Sequence, residues 1–136
     1  MKKGLLSMLI AVTMLLGFNS CNSDDDDAPA IQSYVNVTVK NLAGELRPET
    51  NVYLFKNTRP VQTTNPTTAI QMEKTNTNGV AGFTLNLNEL GITETQTPLY
   101  FAVFYRLGTE NFIFTAEEPV YVRRDETRST EIEVVF

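Results

Sequence analysis

The side chains that most enzymes rely on are scarce in this chain of 136 residues, which has no histidine, no tryptophan and one cysteine, Cys21. Nucleophile–base pairs of the Ser–His or Cys–His type therefore have no place in it, nor do the common zinc sites built from histidine and cysteine. Carboxylate chemistry remains. Glycoside hydrolysis needs two carboxyl groups flanking one bond, and Glu117 with Glu118 or Glu45 with Glu49 are the visible pairs. Glu117 and Glu118 are adjacent and precede Pro119, and neighbours on extended chain point to opposite sides, so they do not face a common bond. Gly79 and Gly82 make no phosphate loop, because no Gly-Lys-Ser/Thr follows and the next element reads as a strand. The chain is therefore expected not to be an enzyme, and to hold no cofactor and no metal.

Cys21 sits at the end of a distinctive leader. Met1-Lys2-Lys3 gives a short positive start, and Leu5 to Leu16 is an apolar run interrupted only by Ser7 and Thr13. A membrane-spanning helix needs about 20 apolar residues, and the sequence turns polar straight after Phe18, so residues 1–20 read as a removable signal peptide. Leu16-Gly17-Phe18-Asn19-Ser20-Cys21 places a small residue directly before the thiol and resembles a bacterial lipobox, although Phe18 and Asn19 depart from the usual residues at its outer positions. That resemblance implies that the thiol takes a diacylglyceryl group, that cleavage occurs before Cys21, and that the new amino group is acylated. Each buried methylene contributes roughly 0.8 kcal/mol, so two or three acyl chains hold firmly where one does not.

Asn22-Ser23-Asp24-Asp25-Asp26-Asp27 follows, a run of like charges that stays extended and solvated. Residues 21–33 thus form an acidic tether. Ser23 with Asp24, Asp25, Asp26 and Asp27 also resembles the export signal that directs some Gram-negative lipoproteins to the outer face of the outer membrane. The run lacks the spaced ligands, turn glycine and distal glutamate of a dedicated calcium loop. Net charge is −5, and loss of Lys2 and Lys3 with the leader makes it −7. Nucleic acid is disfavoured as a partner, because Arg123-Arg124, flanked by Asp125 and Glu126, is the nearest thing to a basic cluster.

Residues 34–136 carry the pattern of strands. Val35, Val37 and Val39 alternate with Asn36, Thr38 and Lys40, the mark of a strand with one dry face, and Asn41-Leu42-Ala43-Gly44 then reads as a turn. Within Asn51 to Lys56, Val52 and Leu54 share one face and Tyr53 and Phe55 the other. Asn57 to Thr68, with Pro60 and Pro66, reads as a long exposed loop. A short strand at Ile70 and Met72 precedes the turn Thr75-Asn76-Thr77-Asn78-Gly79, after which Ala81, Phe83, Leu85 and Leu87 alternate. Further strands are expected at Leu99–Arg106, Asn111–Thr115, Val120–Arg123 and Thr130–Phe136. Asn36-Val37-Thr38 has the form of a glycosylation acceptor but falls inside a strand. Asn88 to Gly91 allows one helical turn at most. Seven or eight strands with turns between them are best closed as an all-β, two-sheet antiparallel Greek-key sandwich, since a lone sheet would leave an apolar face wet.

The first strand with Gly44, the strand Asn51–Phe55, and the run Thr-Asn-x-Asn-Gly-x-Ala-x-Phe from Thr75 to Phe83 resemble the carboxypeptidase-regulatory-like and transthyretin-like (prealbumin-like) sandwiches, over about half of the mature chain. The resemblance implies an accessory or binding module and offers no catalytic residues to carry over. Tyr100 and Phe104 share one face of their strand, with Phe101 and Tyr105 on the other. Two packed faces, one under the opposite sheet and one under the long loop, explain this pattern. Otherwise Tyr100 and Phe104 form an aromatic platform for sugar rings or a protein. The expected function is a lipid-anchored, non-catalytic binding or assembly module, accessory to glycan capture or adhesion, on the surface of the outer membrane. Its partners would be the membrane, through its acyl chains, and an envelope protein or a glycan. The alternatives are a fimbrial or envelope subunit and a periplasm-facing lipoprotein.

Overall fold

Three valines at alternate positions define the centre of the molecule. In the computed structural model, which describes residues 31–136, Val35, Val37 and Val39 are wholly buried, and their strand has partners on both edges. The strands are β1 (Gln32–Asn41), β2 (Asn51–Lys56), β3 (Gln71–Lys74), β4 (Val80–Asn86), β5 (Leu99–Leu107), β6 (Glu110–Thr115) and β7 (Thr127–Val134). β1 lies between β4 and β7 in a three-stranded sheet, and the order β3-β2-β5-β6 makes a four-stranded one. A single helical turn, α1 (Leu87–Leu90), follows β4; the Asn86 side chain caps it by accepting from Glu89 N at 3.2 Å, and Gly91 ends it at φ 64°. Over the described residues the fold is all-β, a sandwich of a three-stranded and a four-stranded sheet.

The inner faces of both sheets supply the core. Phe83 on β4 and Phe101 on β5 meet edge to face at 4.9 Å between centroids, with Leu54, Leu85, Leu99 and Ile132 also fully buried. Alternation dictates the membership: Ala81, Phe83 and Leu85 point inward, whereas Gly82 and Thr84 meet water. Thr75 is the most heavily used buried hydroxyl. It donates to Arg47 O at 2.7 Å and accepts from Thr50 N at 2.8 Å, tying the chain before β2 to the end of β3. Thr75→Val keeps the shape and strands both main-chain groups, so chemical denaturation should show a loss of about 1–3 kcal/mol.

Two expectations are corrected. The sandwich is not antiparallel throughout: β7 runs parallel to β1, with Tyr34 opposite Thr127 and Asn41 opposite Val134. β7 arrives there only after the chain has built the other sheet, and Ser33 Oγ and Tyr34 N both donate to Glu126 O, fixing its start beside the start of β1. Val120–Arg123 is not a strand. Val120 and Val122 are buried in alternation as expected, but after a break at Glu117–Pro119 the segment keeps only an isolated bridge from Val120 to Leu99. The described residues therefore hold seven strands, and β1 begins at Gln32, inside the stretch read as tether.

Candidate functional site

The outer face of the four-stranded sheet is aromatic because β2 and β5 both carry rings on the side away from the core. Val52 and Leu54 point inward on β2, so Tyr53 and Phe55 point outward; on β5 the inward set is Leu99, Phe101 and Val103, which leaves Tyr100, Ala102 and Phe104 outside. The register places Tyr53 opposite Ala102 and Phe55 opposite Tyr100. The small Ala102 leaves room for Phe104, whose ring meets Tyr53 edge to face at 5.5 Å and Phe55 at 6.0 Å. Met72 stands opposite Tyr53 on β3 and is 48% exposed.

Residues 57–70 lie across part of this face. Arg59 donates to Thr115 Oγ1 at 2.9 Å, to Ala116 O at 3.2 Å and to Glu117 O at 3.0 Å, and its guanidinium stands 5.2 Å from the centroid of the Tyr100 ring. Gln62 donates to Asn111 O. Pro60 is buried, and Asn65 caps a 3-10 turn at Pro66–Thr68 by accepting from Thr67 N at 3.0 Å. The segment read as a long exposed loop is thus anchored to β6 at two places, and Phe55 retains only 7% exposure. A cleft of about 390 Å³ remains between the loop and the strands, lined by Gln62, Thr64, Asn65, Phe104, Arg106 and Asn111.

Tyr100 and Phe104 share one face, as their spacing requires, but they differ in availability. Arg59 occupies the ring face of Tyr100, whereas Phe104 borders the cleft. Arg59, Gln62 and Asn65 were not legible as site residues, because only the path of the loop brings them to the sheet, where Asn111 of β6 meets them. Tyr53 and Phe55 could have been recognised, since they alternate with Val52 and Leu54.

All four candidate carboxylates are exposed at the surface. Glu45 and Glu49 are both exposed; Glu45 accepts from Asn41 Nδ2 at 3.3 Å, and Glu49 takes a left-handed backbone at φ 54°. Glu117 and Glu118 line an open groove at the side of the sandwich together with Arg128 and Glu131. Lys40 pairs with Glu131 at 2.8 Å, and that hydrogen bond, with the carboxylate charge, holds the lysine above its ordinary value. Because the shift is upward, the pair's small contribution is complete below the usual lysine range and fades as pH rises through the raised value. Among the described residues, no group of three or more acidic, histidine or cysteine side chains is disposed to hold a metal ion. Cys21, Ser23 and Asp24–Asp27, as well as the signal peptide at 1–20, lie outside the described residues.

No known family model matches the sequence. No curated protein matches it either. Among solved structures, the chain is similar to chlorocatechol 1,2-dioxygenase from Pseudomonas putida, with a TM-score of 0.41, 12% identity, and coverage of 80% of this chain and 63% of that one. The chain thus spans less than two thirds of the structure it matches. This corrects the expectation that the chain is not an enzyme. A missing histidine argues only against particular catalytic designs, and the solved structure is a dioxygenase. The likeness is too distant to assign that activity here.

Proposed function

We propose that this chain is an outer-membrane lipoprotein, held by an acylated Cys21 and carried to the cell surface by Ser23 and Asp24–Asp27, whose sandwich binds a glycan or an envelope protein. The charged start, apolar run and small residue before the thiol support the address. The resemblance of Tyr34–Lys40 with Gly44, Asn51–Phe55 and Thr75–Phe83 to carboxypeptidase-regulatory-like and transthyretin-like modules supports an accessory role. The observation that carries the binding reading is the cleft beside Phe104. A half-buried ring there adjoins the amides of Gln62, Asn65 and Asn111, the Thr64 hydroxyl and the Arg106 guanidinium. A sugar ring offers an apolar face for stacking and hydroxyls for such polar groups, which suits a mostly preformed pocket with a few polar fixtures.

The test is made on intact cells. External protease is expected to remove the wild-type protein and to spare a variant in which Asp24, Asp25, Asp26 and Asp27 are all alanine. Protection of the wild type until the outer membrane is opened would refute surface display. On the same cells, Phe104→Ala should weaken capture of extracellular glycans by about tenfold, the loss usual for a central aromatic contact. Tyr100→Ala, whose ring is already covered by Arg59, should change it little. Equal effects of the two substitutions would remove the cleft from the binding role.

A further inference from the structure

The sandwich has four strand edges among the described residues, and three are blunted. β3 is only four residues long and carries an exposed Lys74. The Gln71 amide donates to Thr84 O of β4 at 3.3 Å. On β6, Gln62 holds Asn111 O at one end and Arg59 holds Ala116 O just beyond the other, and Pro119 lies in the break that follows the strand. Short strands, lysine, proline and covering side chains are the usual protections against unwanted pairing. β7 is eight residues long with no lysine or proline, and exposed Arg128, Glu131 and Glu133 are its protection; it ends the order β4-β1-β7, and among the described residues β1 is its only main-chain partner. Alongside it runs a groove of about 620 Å³, bounded by Glu117–Tyr121 on one side and Arg128–Glu131 on the other.

We infer that the β7 edge accepts an extended segment of a partner protein that alternates basic with apolar side chains, adding a fourth strand to the three-stranded sheet. The main chain supplies affinity in strand addition, and alternate side chains supply selectivity. Glu131 and Glu133 lie on the outer face of β7, while Ile132 and Val134 are buried on the inner one. Lysine or arginine on the added strand would stand opposite the glutamates, and apolar residues opposite Thr130 and Ile132. Glu117 and Glu118 across the groove add to the negative field. Lys40 already pairs with Glu131 and Arg128 with Glu126, so the free negative charge at the edge comes chiefly from Glu133, Glu117 and Glu118. A second copy of the chain would bring its own Glu131 and Glu133 to the edge, and the Asp24–Asp27 segment is acidic as well, so like charges disfavour both as occupants. This site is separate from the cleft beside Phe104 and does not depend on it.

The probe is a labelled synthetic peptide of alternating lysine and valine, eight residues long to match β7, titrated into the full chain by fluorescence anisotropy. It is expected to bind at least about tenfold more tightly than a glutamate–valine peptide of equal length. Methylating its alternate main-chain nitrogens should abolish binding. Glu131→Lys with Glu133→Lys, both at exposed positions and checked for folding by circular dichroism, should weaken binding by about tenfold. If the methylated peptide binds as well as the parent, the attraction is charge alone and strand addition is refuted. Dimers in sedimentation that exclude the peptide would show that a second copy takes the edge, and would equally overturn the assignment.

Discussion

Phe101→Ala is expected to lower the free energy of unfolding by about 3–5 kcal/mol, the range for truncating a fully buried phenylalanine. Phe101 is 1% exposed and lies opposite Leu54 of β2, and its ring is edge-on to Phe83 from the other sheet. The two rings are the largest wholly buried side chains, and they face each other across the seam between the sheets. Removing one leaves a cavity bounded by two hydrogen-bonded sheets, which close on it only partly. A domain of this size has a total stability of about 5–15 kcal/mol, so the variant should be close to unfolding at ambient temperature. Urea titration of wild type and variant, with unchanged slope, measures the effect. A loss below about 1 kcal/mol would mean that the two sheets are not held together through this pair.

Gly79→Ala should be nearly as damaging, at roughly 2–4 kcal/mol, for a different reason. Gly79 has φ 72°, where a Cβ costs about 1–2 kcal/mol by itself. That Cβ would also stand 3.0 Å from Val39 O, 3.0 Å from Leu46 Cβ and 3.1 Å from Arg47 N. Two of these are main-chain atoms that cannot step aside, because Arg47 N donates to Val39 O at 2.9 Å and Val39 N donates to Gly79 O at 2.8 Å. Gly44 provides the control: its φ is 83°, but nothing lies within 4 Å of the added carbon. Thermal unfolding should therefore show a clearly smaller fall for Gly44→Ala than for Gly79→Ala, and the difference reports the clash. Equal falls would leave only the backbone term.

The turns and the inward faces of the strands were legible because both are written in neighbouring residues. Val35, Val37 and Val39 declare their burial by alternation, and Ala81, Phe83 and Leu85 do the same. Asn76 and Gly79 announce their turn, in which Asn76 Oδ1 accepts from Asn78 N at 2.9 Å and from Val80 N at 3.1 Å. The helical turn that ends at Gly91 was equally readable. The Val120–Arg123 segment shows where such reading fails. Its alternation correctly marks Val120 and Val122 as buried, but burial does not require a ladder, and the interruption at Glu117–Pro119 left it with one bridge.

By itself, then, the sequence determined the all-β class, which side of each strand is dry, and where the chain turns, since each depends on side-chain size and backbone preference within a few residues. Tertiary structure alone decided that β7 lies parallel to β1, that residues 57–70 fold back over Tyr100 and Phe55, and that a groove lined by Glu117, Glu118 and Glu131 borders an edge unpaired among the described residues. Those features join residues far apart in the chain. Arg59 and Thr115, or Ser33 and Glu126, meet because of how two sheets stack and where the loop must return, and no local pattern of residue types records that.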